Sequence, residues 1–470
     1  MRDYFPFESF QDGQGELIDR INSNYNKYDV FVVRAPVAFG KSPIAVAIQQ
    51  HELDNNRGCC ILTPNNMLRS QYIKDFYWLR TVRNQDEYWL EKYKMTEREF
   101  RKRIYKWGPK ESEYTSDYKA VRRKGTPVVG NFYTYIAHKL QRNTLIVDEA
   151  HTLLGTLQDM AAKVLWQHEY NYPSTLVTFE DLREWLSSAD PMDKKIQQLK
   201  QTVDSVHPAT KLQFTTSAYR GEDRNCLKLI PLSVADLPSP FWGKKVKKIV
   251  LMSATIGAAD IEKMGLANRR VLYIDVASPI DPARRPILFQ PVGNMSYRHQ
   301  EENIPGLAKE IVELADHHTD GKGFVHATYS VANQLREYLQ DDPRFIFHRR
   351  DNKKDVYDRF YKLPASSQAV MVGSGMSEGL DLKYEVAEWQ ALTKVPYPSL
   401  ADPAMRHLAE FDPDFYNWYV SKEVLQASGR ICRSPDDEGI TYLLDSNFSF
   451  WYDKYHASLP TWFNDAVEGM

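Results

Sequence analysis

The chain has 470 residues, 43% hydrophobic and 26% charged, enough to bury several cores, so roughly two to four globular domains are expected and a disordered or fibrous chain is excluded. A formal net charge of −2 rules out a polycation, so any nucleic-acid surface must be a local stripe. No apolar run approaches the roughly 18 residues of a membrane span and the N-terminus lacks a signal-peptide core, which leads us to expect a cytoplasmic protein with no membrane partner.

Strand-like apolar runs alternate with helix-length segments from about residue 28 to 155, the pattern of a parallel α/β domain. Its first informative run, Val30 to Val33, leads into Ala35-Pro36-Val37-Ala38-Phe39-Gly40-Lys41-Ser42 and then an apolar helical stretch. That order predicts a phosphate-binding loop, with Ala35 standing where the first glycine is usual. Lys41 would reach the β- and γ-phosphates of a nucleoside triphosphate, and the Ser42 hydroxyl would ligate Mg²⁺. Gly40 is the loop's only glycine, and Ala38 holds a position where glycine would give more backbone freedom.

Residues 72–127 read as a first insertion, dense in charge and aromatics. Bases and rings interleave there, most densely at Arg101, Lys102 and Arg103, a composition suited to phosphates and stacked bases of a single strand. Leu145-Ile146-Val147 then reads as a buried strand delivering Asp148 and Glu149 at its end. Asp148 would hold Mg²⁺ through its water shell and Glu149 would orient or deprotonate an attacking water. His151, just beyond, is a candidate to couple nucleotide state to Ser253 and Thr255.

Residues 156–245 read as a second, helical insertion, with Ile196, Leu199, Val203 and Val206 at helical spacing. The strand Lys248–Met252 follows and ends in Ser253-Ala254-Thr255. Prolines 279, 282, 286 and 291 then mark a hinge, set at residues 278–291. A second α/β alternation runs to about residue 445. In it, Gly373-Ser374 opens a glycine-rich turn whose Glu378, Gly379 and Asp381 could face a ribose or partner arginines. Gln426, Arg430 and Arg433 close the set, the two arginines lying on one face if helical. Guanidinium groups brought from across a hinge can stabilise a transferring phosphoryl group, so hydrolysis would depend on domain closure.

These elements, in this order, resemble the superfamily 2 helicases of the XPD/DinG type, and the resemblance covers almost the whole chain. Ala35–Ser42 resembles motif I, Asp148–His151 the DEAH box, Ser253-Ala254-Thr255 motif III, and Gln426–Arg433 motif VI. Phe324–Ser330 sits where motif IV belongs and Gly373–Asp381 is similar to motif V. Narrower likenesses are Asn131-Phe132-Tyr133 before the DEAH strand and Lys394-Val395-Pro396-Tyr397-Pro398.

The resemblance implies two RecA-like parallel-sheet domains in tandem, with two insertions in the first. Residues 1–71, 128–155 and 246–277 would form domain 1 and residues 292–470 domain 2, with 156–245 a short arch-like element. It implies ATP and Mg²⁺ in the cleft, with Gln14 reading adenine as in a Q motif. Thr63, Asn65, Asn131, Tyr133, Thr328 and Ser374 would contact single-stranded DNA, and travel would be 5′→3′, with forked duplex DNA as substrate and a monomer as the working unit. Relatives often carry an iron–sulfur cluster between motif Ia and the DEAH box, but residues 72–127 contain no cysteine, so no cluster is expected. A nucleic-acid-stimulated ATPase that remodels without unwinding, and a DEAH-type RNA helicase, are the alternatives.

Overall fold

This computed structural model describes every residue except 82–98, 100–118, 141, 174, 177, 178, 208, 220, 221, 244, 350, 375–385, 433 and 435. The apolar runs of the first lobe become β1 (Val30–Arg34), β2 (Cys59–Thr63), β3 (Val128–Asn131) and β4 (Thr144–Asp148). Between β4 and the next strand of that sheet lie β5 (Lys163–Trp166), β6 (Thr210–Tyr219) and β7 (Glu222–Pro231). The first sheet is completed by β8 (Lys248–Ser253) and β9 (Val271–Asp275), in the order β3-β2-β4-β8-β1-β9. All its pairings are parallel, and β2, β3 and β4 are buried at every residue. Strands covered on both faces have no reason to alternate, which is why they read as continuous apolar runs.

The second lobe has β10 (Ile287–Gly293), β11 (Gly323–Ala327), β12 (Phe345–Phe347), β13 (Val370–Ser374), β14 (Trp389–Leu392), β15 (Ile440–Asp445) and β16 (Val467–Glu468). They form one parallel sheet, β12-β13-β11-β14-β15-β10-β16. Two parallel sheets in tandem are the architecture expected from the sequence. The lobes share a large apolar cluster, in which Leu145, Val147 and Leu251 of the first join Leu392, Leu425 and Trp451 of the second.

Three boundaries move. Tyr72, Phe76 and Leu79 are buried in the first lobe's core and Arg80 bridges to Val128, so residues 72–80 belong to that lobe rather than to an insertion. Residues 156–245 are not simply helical: β5, β7 and β6 make an antiparallel sheet against which the helices Phe179–Ser188 and Lys194–Asp204 pack. Ile196, Leu199 and Val203 are buried as their spacing predicts, but the helix stops at Asp204, short of Val206. The hinge ends at residue 286, because β10 starts at Ile287; Pro291 falls where the register of β10 shifts, a place where a residue lacking an N–H is tolerated. Among the described residues no helix is long and apolar enough to cross a membrane.

Candidate active site

The sheet order brings the chemistry together. β4, β8 and β1 are adjacent, so Asp148, Ser253 and the loop after Arg34 leave the same edge of the sheet side by side. Ligands in parallel α/β folds bind at this edge, outside the carboxyl ends of the strands.

The phosphate loop turns through two left-handed residues, Ala38 at φ 68° and Gly40 at φ 71°. Glycine adopts this conformation freely, whereas at Ala38 it costs roughly 1–2 kcal/mol. Gly40 is also needed for space, since a Cβ there would lie 2.5 Å from Gln14 Nε2. Gln14 itself is buried, donating to the carbonyls of Phe39 at 2.9 Å and Gly40 at 3.2 Å and accepting from the Gln11 amide at 2.9 Å. With its amide on these carbonyls, Gln14 braces the loop at Phe39 and Gly40.

Lys41 opens the helix Lys41–Asp54, whose N-terminal dipole favours phosphate. Its Nζ lies 3.8 Å from Glu149 Oε1 and 3.4 Å from the Pro36 carbonyl. Glu149 is held at φ 49°, a second non-glycine residue in the left-handed region beside the cleft. The neighbouring Asp148 accepts from the Tyr72 hydroxyl at 2.8 Å and from the Glu149 amide at 2.9 Å. Burial pushes the Asp148 carboxyl above the usual carboxylate range and the charge of Glu149 adds to this, while Lys41 and the two hydrogen bonds oppose it. Tyr72 also meets Ser42, so one buried phenol stands between the two expected Mg²⁺ ligands. Nothing in the sequence flagged Tyr72, which fell in the stretch assigned to the insertion.

His151 is where its expected role requires. Its Nδ1 is 2.9 Å from Ser253 Oγ and 3.3 Å from Glu149 Oε2. The Thr255 amide donates to Ser253 Oγ at 3.2 Å, so His151, Ser253 and Thr255 form one hydrogen-bonded chain, with the Glu149 carboxylate beside the same His151 nitrogen.

From the second lobe comes the helix Pro413–Ser428, which ends at Gly429 and delivers Arg430. Gln426 and Arg430 line the same cavity of about 640 Å³ as Pro36, Val37, Lys41 and Glu149. Arg430 is 7% exposed, and Gln426 Oε1 is buried with no hydrogen-bond partner among the described residues. Such an acceptor is unfavourable unless a donor arrives, such as water or another polar group in the cleft. A cationic amine, the Glu149 carboxylate and a guanidinium around one cavity, with Ser42 and Asp148 the chain neighbours of Lys41 and Glu149, fit a Mg²⁺–triphosphate. Arg433, Glu378, Gly379 and Asp381 lie outside the described residues.

Arg430 is held by a network that sequence reasoning missed. Gln390, fully buried on β14, donates to the carbonyls of Ala427 at 3.0 Å and Ser428 at 3.4 Å and to Thr441 Oγ1 at 2.9 Å. Its Oε1 is 3.1 Å from His326 Nε2. Burial first, and the Arg430 charge as well, push the His326 imidazole down to about 4, so it is neutral and its Nε2–H donates to Gln390. A lone glutamine between apolar strand residues carries no sequence signal of such a role.

The expected strand-contacting residues divide. Thr63, Asn131 and Ser374 are buried: Thr63 Oγ1 donates to the Asn65 carbonyl at 3.1 Å, and Asn131 caps the helix Phe132–Ala137. The Ser374 amide donates to His348 Nε2 at 2.9 Å. In this conformation these three side chains are buried and shape the loops. Asn65 and Thr328 cap the helices Asn66–Asp75 and Tyr329–Leu339 yet remain exposed, and Tyr133 is half exposed. Arg101, Lys102 and Arg103 lie outside the described residues. The four cysteines are free and buried.

A family model described as "Helicase C-terminal domain" matches residues 311–466. Regulator of telomere elongation helicase 1 of Mus musculus is 27% identical over 198 residues, covering 35% of this chain and 16% of that protein. ATP-dependent DNA helicase chl-1 of Caenorhabditis elegans is 22% identical over 243 residues, covering 46% of this chain and 28% of that one. The chain thus spans well under a third of the length of either relative. Among solved structures, Xpd4 of S. tokodaii matches over 97% of this chain and 99% of its own, with a TM-score of 0.58 at 14% identity. A structure described as an XPD helicase covers 99% of this chain and 100% of its own, with a TM-score of 0.60 at 13% identity. The chain is thus similar in part to these helicases and has the two-lobed fold of the XPD structures.

Proposed function

We propose that the protein is an ATP-driven motor on single-stranded DNA that travels 5′→3′ as a monomer and separates forked duplexes. The observation that carries this is the meeting of Lys41 and Glu149 from one lobe with Gln426 and Arg430 from the other around one cavity of about 640 Å³. Ser42 and Asp148 would hold Mg²⁺, which when bound neutralises phosphate charge. Lys41 neutralises the β- and γ-phosphates, and Glu149, beside it, takes the proton of the attacking water. Arg430 stabilises the charge spread over the transferring phosphoryl group, so turnover is fast only when the lobes are closed.

Glu149 against His151, and the chain His151–Ser253–Thr255, give nucleotide state a route out of the site. Asn65, Tyr133 and Thr328 are exposed at the lobes' strand-to-helix turns, where amide, ring and hydroxyl can meet a backbone without reading sequence. DNA is preferred over RNA as the substrate because one relative bears the name of an ATP-dependent DNA helicase.

The experiment is ATP hydrolysis with and without single-stranded DNA or RNA, paired with strand displacement from a forked duplex. DNA-stimulated hydrolysis with displacement is expected. Stimulation without displacement would replace the helicase reading with a remodelling ATPase, and stimulation by RNA alone would transfer it to RNA.

A further inference from the structure

Arg430 can act only if the helix that delivers it is placed correctly against the other lobe, and one carboxylate does much of that placing. Asp260 lies in the short first-lobe helix Ala258–Lys263 and is 1% exposed. Its Oδ2 accepts from the Trp418 indole Nε1–H at 2.6 Å and its Oδ1 from Lys422 Nζ at 2.8 Å, both residues belonging to the second lobe's helix Pro413–Ser428. The Gly257 amide supplies a third donor at 3.0 Å, tying the carboxylate to its own lobe.

Gly257 reinforces the reading. Its φ is −134°, which any residue adopts, so glycine is not required by the backbone. It is required by the neighbour: a Cβ there would stand 2.5 Å from Trp418 Cζ2 and 2.6 Å from Cε2. Nearer the start of the same helix, Lys263 pairs with Asp412.

We propose that Asp260 is a positioning residue for hydrolysis, docking the Pro413–Ser428 helix on the first lobe so that Gln426 and Arg430 enter the nucleotide cleft in register. Trp418, Lys422 and Gln426 are spaced by four, so the helix face seated on Asp260 is the face that presents Gln426, about 6 Å beyond Lys422 along the axis. On the first-lobe side, Gly257 is two residues past Thr255, which hydrogen-bonds to the Ser253 that meets His151. Asp260 therefore joins the end of one lobe's hydrogen-bonded chain to the helix that carries the other lobe's guanidinium. This inference rests on the ATPase reading above.

The test is Asp260→Asn, which keeps the volume and removes the charge facing Lys422, with Trp418→Phe, which removes the indole N–H together with the ring that packs on Gly257, as a second variant. In DNA-stimulated ATP hydrolysis, kcat should fall about tenfold for Asp260→Asn, the scale on which a misplaced catalytic group loses rate. KM for ATP should stay within about twofold, because the phosphate loop belongs to the first lobe alone. In an Arg430→Ala background the same substitution should cost nothing further, since it acts through Arg430. Unchanged kcat in both single variants, or an equal loss in the Arg430→Ala background, overturns the proposal.

If the unaltered protein hydrolyses no ATP, the functional reading fails and the joint is judged separately by a dye pair on Tyr77→Cys and Tyr297→Cys, exposed positions on opposite lobes. Asp260→Asn should then widen the interlobe distance distribution. An unchanged distribution refutes the docking role.

Discussion

The two lobes furnish one cleft by different means. In the first, the phosphate loop follows directly on β1 while Asp148 and Ser253 end β4 and β8, and these three strands are neighbours, so sheet formation alone brings them together. In the second, Arg430 arrives at the end of a sixteen-residue helix and is placed by residues remote in sequence, Gln390 through the last carbonyls of that helix and Asp260 through its flank. A site built on adjacent strand ends tolerates error elsewhere, whereas a site delivered by a lever inherits every error along it. Substitutions far from the nucleotide should therefore damage the second lobe's contribution more than the first's.

The largest effect sharpens the first half of that contrast. Lys41→Ala removes a charge from phosphates in a partly closed site and should lower ATP turnover by roughly 10²–10³. Binding of single-stranded DNA, measured by fluorescence anisotropy, should be retained, because the helix Lys41–Asp54 keeps its packing through Ile44, Val46 and Ile48. Loss of DNA binding would mean that the loop serves the nucleic-acid surface directly.

Gln390→Leu probes the lever. It strips partners from two helix-end carbonyls, Thr441 and His326, and should cost about 2 kcal/mol in a denaturant titration. Its turnover should fall as well, although Gln390 lines no part of the nucleotide cavity. A variant that loses stability while keeping full turnover would show that Arg430 is not placed through β14.

The same network has a pH signature. His326 is held down to about 4 in the folded protein against about 6.5 unfolded, so between these values the unfolded chain takes up a proton that the fold refuses. Its contribution is complete above about pH 6.5 and is lost as pH falls towards 4, so melting at about pH 5 should come earlier than at about pH 7. His326→Gln, which cannot charge, should narrow that gap. An unaltered gap would mean that other groups carry the acid sensitivity.

The smallest effect concerns the loop itself. Ala38→Gly relieves a left-handed alanine but loosens the unfolded chain, so a net gain below about 1 kcal/mol is expected, read as a small rise in melting temperature. A fall would show that the Ala38 methyl, which packs against Ile280, Ile431 and Cys432, outweighs the backbone strain.

What could be read from the sequence follows the same divide. Lys41, Asp148, Glu149 and Ser253 were legible because each sits at a fixed offset from an apolar run, and strands buried on both faces announce themselves. Arg430 was legible from its spacing with Arg433 and its likeness to a motif, with no apolar run to fix its place. Tyr72, Asp260 and Gln390 were not, because hydrogen bonds spanning 37 to 162 residues leave no local pattern. Thr63 and Asn131 are ambiguous for a related reason: hydroxyls and amides at strand ends serve equally as helix caps and as phosphate contacts, and the sequence does not show that both are buried. The strands β5, β6 and β7 escaped because they pair antiparallel at an exposed surface, where alternation is weak.

The central claim is that hydrolysis needs both lobes around one nucleotide. The most direct measurement is Mg²⁺–ATP affinity and turnover of Arg430→Ala, side by side, with single-stranded DNA present. We predict affinity within about threefold of the unaltered protein and turnover lower by about 10³, the signature of a group that acts in the transition state. Turnover at the unaltered rate would contradict a cleft completed from the second lobe.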